Sequence, residues 1–101
     1  MTALNTPAYD FIALGEALID LISCNEVDAL SEADCYQRFI GGQPTNLARN
    51  MALLGHQTAL ASCVGDDSFG YYIKENLEQA NVDIRFLQTT LEAPTTIVPV
   101  T

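Results

Sequence analysis

Basic residues are scarce in this sequence: four Lys and Arg stand against thirteen Asp and Glu, for a net charge of −9, and none precedes Arg38. That balance speaks against nucleic acid as a partner, because binding it depends on neutralising phosphates with basic side chains. Acidic lipid surfaces are disfavoured for the same reason. No apolar run approaches the roughly 20 residues needed to span a bilayer, and residues 1–7 lack the basic start and apolar centre of a signal peptide. The three cysteines, Cys24, Cys35 and Cys63, are odd in number, widely spaced and without a Cys-x-x-Cys pair. Neither a disulfide framework nor a zinc site is expected from them, but buried free thiols in a reducing cytoplasm. His56 is the sole histidine and reads as an exposed loop residue, so a zinc site lacks its ligands. Ser23, Ser31, Ser62 and Ser68 have no nucleophile-turn context. No Gly-rich loop ends in Lys-Ser or Lys-Thr, and no G-x-G-x-x-G follows a strand.

What the sequence does have is a turn of unusual make-up, Ile40-Gly41-Gly42-Gln43-Pro44-Thr45-Asn46-Leu47-Ala48. A β-branched run stops there, two glycines free the backbone, and a helix begins. Glycine allows backbone angles closed to other residues and lets a ligand approach the main chain. Pro44 suits the first helical turn, where its missing N–H costs nothing. The other free N–H groups of that turn would face whatever sits above the loop, and the Asn46 amide both donates and accepts. A Gly-Gly pair before a helix is equally at home as a plain strand-to-helix turn.

In chain order, residues 1–7 read as a loose lead-in, and Tyr9 to Gly15 as a strand buried on both faces, as in parallel sheets. Residues 17–22 suit a helix by composition, but Gly15 and Asn25 bracket a short Leu/Ile-rich run that we assign as a strand. After an acidic, turn-like stretch from Asn25 to Asp34, Cys35 to Ile40 alternates as a half-exposed strand, antiparallel to residues 17–23. A helix is expected over Pro44 to Leu54, with Leu47, Met51 and Leu54 on its apolar side, Ala48 and Ala52 adding small contacts, and Gly55 at its end. Thr58 to Val64 is the next core strand, completing a βαβ unit. Asp66 or Asp67 would cap a second helix that buries Phe69, Ile73, Leu77 and Ala80, with Asn81 closing it in a left-handed conformation. Val82 to Thr89 and Thr95 to Thr101 are the last strand candidates, and the final one leaves an unpaired edge. No repeat, linker or low-complexity tract interrupts the chain.

The Gly-Gly-x-Pro-x-Asn turn, followed by Ala48, Gly55 and Gly65-Asp66-Asp67-Ser68-Phe69-Gly70, resembles the first signature of the ribokinase-like (PfkB) carbohydrate kinases. Upstream, Gly15-Glu16-Ala17-Leu18-Ile19-Asp20 resembles that family's first strand and the sugar-contacting Asp after it, in a form nearest to fructokinases. Several anchors spread over about sixty residues are far more specific than a lone glycine motif. The resemblance implies an α/β fold, a partial ribokinase-like fold with a βαβ core of parallel strands and helices plus small β lid strands. Residues 1–101 would be the N-terminal, sugar-binding and lid portion of a longer kinase. It further implies substrate contacts from Asp20, Gly41, Gly42 and Asn46, with a weaker case for Gln43 because relatives vary there. Residues 82–89 and 95–101 resemble later lid strands, and dimerisation through lid strands is a family property the resemblance would extend to this chain.

Phosphoryl transfer needs a positioned acceptor hydroxyl, a base, a cation near the phosphates and donors for the developing charge. This sequence offers only the first. The family's base lies in a Gly-Ala-Gly-Asp stretch of the C-terminal part, which nothing here matches. ATP and Mg2+ are therefore expected in the complete enzyme, with neither bound to this chain alone, and the catalytic base is expected outside it. Gly65-Asp66-Asp67 reads as a strand end and helix cap in preference to a phosphate loop or metal pair. Glu16 is either a polar strand end or part of the substrate cleft. Two other readings stay open: a stand-alone module that binds sugar or dimerises, and an isolated fragment without activity of its own.

Overall fold

The structure, a computed structural model, describes residues 8–101. The lead-in expected over residues 1–7 lies outside the described residues. The elements run β1 (Phe11–Leu14), β2 (Leu18–Ser23), β3 (Tyr36–Gly41), α1 (Gln43–Leu53), β4 (Thr58–Gly65), α2 (Ser68–Gln79), β5 (Val82–Asp83), β6 (Leu87–Thr90) and β7 (Ile97–Val100). A single 3₁₀ turn, Leu30–Glu32, sits in the acidic loop between β2 and β3.

Two sheets result. In the core sheet β4 is central, with β1 parallel on one side and β5 then β6 parallel on the other. The second sheet has the order β3-β2-β7, with β2 antiparallel to β3 and parallel to β7. The βαβ unit and the small sheet beside it are thus as expected, and the whole is mixed α/β.

Period-2 alternation decides which side chains of the core sheet are covered. Ala13, Leu60, Val64, Val82 and Leu87 are buried in one cluster with Ile73 and Leu77 of α2 and Ala48 of α1. Thr58, on that same face, donates to the Ala48 carbonyl at 3.1 Å and seats α1 on the sheet. The opposite face carries Ile12 and Leu14, in register with Ala59 and Ala61, and then Cys63. At β1 that face is open, with Ile12 50% and Leu14 81% exposed. β1 is therefore not buried on both faces as its composition suggests: parallel strands normally have a covering layer on each side, and here one is present.

Helix α1 makes the expected small contacts through Ala48 and Ala52, but not those of Leu47 and Leu54. Its buried side is Thr45 and Ala48, with Ala52 partly buried, a spacing of three and four along the helix. Leu47 is 48% and Leu54 75% exposed. Small side chains let the helix axis approach the sheet, so close approach and not hydrophobicity selects the inner face. Helix α2 buries Ile73 and Leu77, with Phe69 and Ala80 partly buried against the core, and Asn81 closes it at φ 65°.

Residues 82–89 do not form one lid strand. A turn in which the Leu87 N–H donates to the Ile84 carbonyl at 3.0 Å splits them into β5 and β6, both in the core sheet. Only β7 joins the small sheet. The cysteines require a further correction. Cys24 and Cys35 form a disulfide, with Cα atoms 5.5 Å apart, because the β2–β3 ladder continues past Ser23 and Tyr36 and brings them opposite each other. Cys63 is free but exposed on the open face. The thiols thus no longer argue for a reducing compartment. No helix of the described residues is long and apolar enough to cross a membrane.

Candidate functional site

Three close contacts lock the end of β1 onto the turn before α1. Gly15 adopts φ +150°, and a side chain there would press on Pro44, its Cβ 2.6 Å from Pro44 Cγ. Gly42, the residue before α1, adopts φ +99°, and a Cβ there would run into the Glu16 carbonyl oxygen. That same oxygen accepts a 2.8 Å hydrogen bond from the buried Thr45 hydroxyl. Glu16 therefore contributes its main chain to the scaffold of the turn. The two glycines and Thr45 are there because residues 15–17 and 42–45 approach too closely for ordinary side chains.

On the other side of this joint stands Asp20. Antiparallel register places Asp20 opposite Phe39 and Leu18 opposite Gly41, so Asp20, Leu18, Phe39 and Gly41 share one face of the small sheet. A Cβ on Gly41 would lie 2.8 Å from Asp20 Cγ, overlap its Oδ2, and sit 2.5 Å from Leu18 Cδ1. The missing side chain at Gly41 is what leaves the carboxylate room to lie over the backbone. Asp20 is half-buried, and among the described residues no side-chain hydrogen bond involves it. The arrangement presents a carboxylate, which accepts from two neighbouring hydroxyls, beside an amide-lined turn.

Gly41, Gly42 and Asp20 are thus brought together. Asn46 begins the helical ladder, its N–H bonded to the Gly42 carbonyl at 3.0 Å, and its side chain is exposed. Gln43 lines a groove that it shares with residues 11–14, Pro44 and Leu47, and Asp20 does not line it. Larger concavities lie elsewhere, at the Gly55–Thr58 end of the core sheet and between β3 and α2. Both are lined without Asp20, Gly41 or Gly42; the Asp20 corner is an open ledge.

Of the four basic side chains, three are engaged within the chain. The Arg38 guanidinium lies 4.1 Å from the centre of the Tyr72 ring, on the face of β3 opposite Phe39 and Asp20. Lys74 donates to Thr89, and Arg85 stands 3.4 Å from Asp83. The first turn of α2 is already capped by its own Asp67. Among the described residues no cluster of three His, Cys, Asp or Glu could hold a metal ion. Gly65-Asp66-Asp67 is a strand end and helix cap, as expected, but no local signal marks that Asp67 also binds Thr95, 28 residues away.

Residues 10–101 match the family described as pfkB family carbohydrate kinase. A putative sugar kinase of Pyrococcus horikoshii is 44% identical over 73 residues, which is 72% of this chain and 23% of that protein. Its structure in complex with ATP superposes on 88% of this chain with a TM-score of 0.85, covering 29% of the kinase. The fructokinase of Halothermothrix orenii is 41% identical, with a TM-score of 0.85, over 89% of this chain and 32% of its own. The fructokinase of Vibrio cholerae O395, solved in a fructose, ADP and calcium ion bound form, is 30% identical with a TM-score of 0.77, over 90% of this chain and 27% of its own. The chain therefore spans between a fifth and a third of the length of these relatives.

Proposed function

The chain belongs to the pfkB family of carbohydrate kinases, and on that premise we propose that it supplies the sugar-binding part of a fructokinase-like enzyme. The complete protein would transfer the γ-phosphate of ATP, with Mg2+, to a sugar hydroxyl. Asp20 and the Gly41-Gly42 turn hold the acceptor sugar: the carboxylate receives hydrogen bonds from adjacent hydroxyls, and Gly41 gives the carboxylate the room to lie there. Asn46 lies one helical turn further on, and Gln43 flanks the same loop. The observation that carries this reading is the Asp20 carboxylate lying over Gly41.

Chemistry belongs to the part of the relatives that this chain does not span. A base for the acceptor hydroxyl, a cation at the phosphates and an anion hole are all required, and no described residue of this chain fits them. Residues 1–101 alone should therefore be catalytically silent. A coupled assay tests this directly: the chain alone should release no ADP from ATP and fructose, and activity should appear when the C-terminal portion of a related kinase is supplied. Sugar-dependent ADP release by the chain alone would overturn the assignment. A cytoplasmic location goes with a reaction that consumes ATP.

One observation favours a second reading, a module that dimerises. Phe39 and Val98, the cross-strand neighbours of Asp20, are both exposed and apolar, and β3 and β7 have open edges. Sedimentation of the pure chain separates a dimer from a monomer.

A further inference from the structure

Asp67 caps α2, yet capping uses only part of its carboxylate. Oδ1 accepts from the Gly70 N–H at 2.8 Å and from the Thr95 hydroxyl at 2.7 Å, while Oδ2 accepts from the Thr95 N–H at 2.8 Å. The Thr95 hydroxyl oxygen in turn accepts from the Gly65 N–H at 3.0 Å. Thr95 is 4% exposed. The knot is closed to added bulk: a Cβ at Gly65 would lie 2.5 Å from Asp67 Oδ2 and from Thr95 N. Asp67 is thus fixed to the core through α2 and β4, and it grips the residue from which β7 departs.

From Thr95 the chain runs on to the proposed sugar site. The Thr96 carbonyl accepts from the Ile19 N–H at 2.9 Å, and Val98 then stands opposite Asp20. β7 has little else to hold its position. Among the described residues it pairs with β2 alone, and it contains Pro99, which cannot donate to a ladder. β7 is largely exposed, so burial does little to fix its register, and a slip of one residue would reverse every side chain.

We propose that Asp67 is a positioning residue for the strand that flanks the sugar-binding carboxylate: by clasping Thr95 it sets where β7 lies along β2, and so keeps Val98 beside Asp20. The inference rests on the sugar-binding role assigned to Asp20 above, and its test has arms that do not require sugar.

The experiment uses the 101-residue chain and its Asp67→Ala, Thr95→Val and Thr95→Ser forms. Thr95→Val leaves the Asp67–Gly70 cap and the residue 95 N–H bond intact and removes the hydroxyl's two bonds, so it reports that part of the clasp even if loss of the cap unfolds the chain. Three quantities are read: hydrogen exchange at the Ile19 amide, the carboxylate carbon resonance of Asp20, and fructose affinity by calorimetry. Asp67→Ala and Thr95→Val should speed Ile19 exchange at least about tenfold, as local opening becomes easier. They should also move the Asp20 resonance, whereas protection at Ile73 and Leu77 stays and Thr95→Ser behaves as the parent. Fructose affinity should fall in Asp67→Ala, but adding it to Asp20→Asn should weaken binding no further, since residues acting through one another are not additive. Unchanged Ile19 exchange and Asp20 resonance in both Asp67→Ala and Thr95→Val would overturn the proposal, as would a full further loss in the Asp20→Asn background. If the parent chain fails to bind fructose, the sugar reading fails, and the exchange and resonance arms still decide the clasp.

Discussion

Gly41 and Asp20 are complementary by subtraction: the side chain that Gly41 lacks would occupy the space filled by the Asp20 carboxylate, 2.8 Å from its Cγ. Twenty-one positions apart in sequence, they meet because β2 and β3 pair antiparallel, with Leu18 opposite Gly41. The relationship makes Gly41 a specific requirement of this site, distinct from the general need for glycine in turns.

Three glycine-to-alanine substitutions separate the causes. Gly55 adopts φ +96° with nothing within 4 Å of an added Cβ, so Gly55→Ala should cost only the backbone term, of order 1 kcal/mol. Gly42→Ala adds a collision with the Glu16 carbonyl to its own positive φ and should cost more, about 2–4 kcal/mol. Gly41→Ala meets side-chain atoms of Asp20 and Leu18, which can yield, so stability should fall by about 1–3 kcal/mol while Asp20 is displaced. Urea unfolding gives the order, and equal costs at all three would contradict this account.

The Asp67 clasp should be sensitive to acid. Its carboxyl is held below the ordinary aspartate range, first by the Thr95 N–H and then by the Thr95 hydroxyl and the Gly70 N–H. A carboxylate depressed in the folded state contributes stability that is full above its unfolded value, about 4, and is lost as pH falls through the lower folded value. Neighbouring Asp66 accepts from the Tyr71 hydroxyl and holds that phenol above its usual range, a titration confined to alkaline pH. Thermal unfolding followed from pH 6 to pH 2 should therefore show an acid loss that is smaller in Asp67→Asn. Identical acid profiles would contradict the clasp.

Cysteine labelling reads the open face of the core sheet. With Cys24 and Cys35 joined and Cys63 exposed, a maleimide should modify one thiol per native chain, and three after reduction under denaturing conditions. Supplying the C-terminal portion of a related kinase should slow labelling at Cys63, because a parallel sheet is normally covered on both faces. Three fast-reacting thiols without reductant would contradict the disulfide, and an unchanged Cys63 rate in a complex with kinase activity would contradict the assignment of that face.

Much of this was legible in the sequence where local rules act alone. The Asp67 cap, the Ile73 and Leu77 stripe, the Asn81 terminator and the antiparallel pairing of residues 18–23 with 36–41 all follow from short-range chemistry. Features set by distant parts of the chain were not. Leu47 and Leu54 read as core because apolar spacing carries no information on whether a partner layer exists. Residues 82–89 read as one strand because alternation hides a turn whose only marks are the Asp83 side chain bonded to the Arg85 N–H and the Ile84–Leu87 contact. Cys24 and Cys35 read as unpaired because counting cysteines ignores the ladder that sets them opposite each other. Nothing local marks Thr95, since a threonine at a strand start gives no sign of a buried partner 28 residues away.

The central claim is tested most directly by titrating fructose into the 101-residue chain and its Asp20→Asn form in a calorimeter. Removing one charged acceptor from a sugar site costs about 1.5–3 kcal/mol. Saturable binding is expected in the parent, weakened at least about tenfold in Asp20→Asn with the fold unchanged. Equal titration curves for the two proteins would contradict the account.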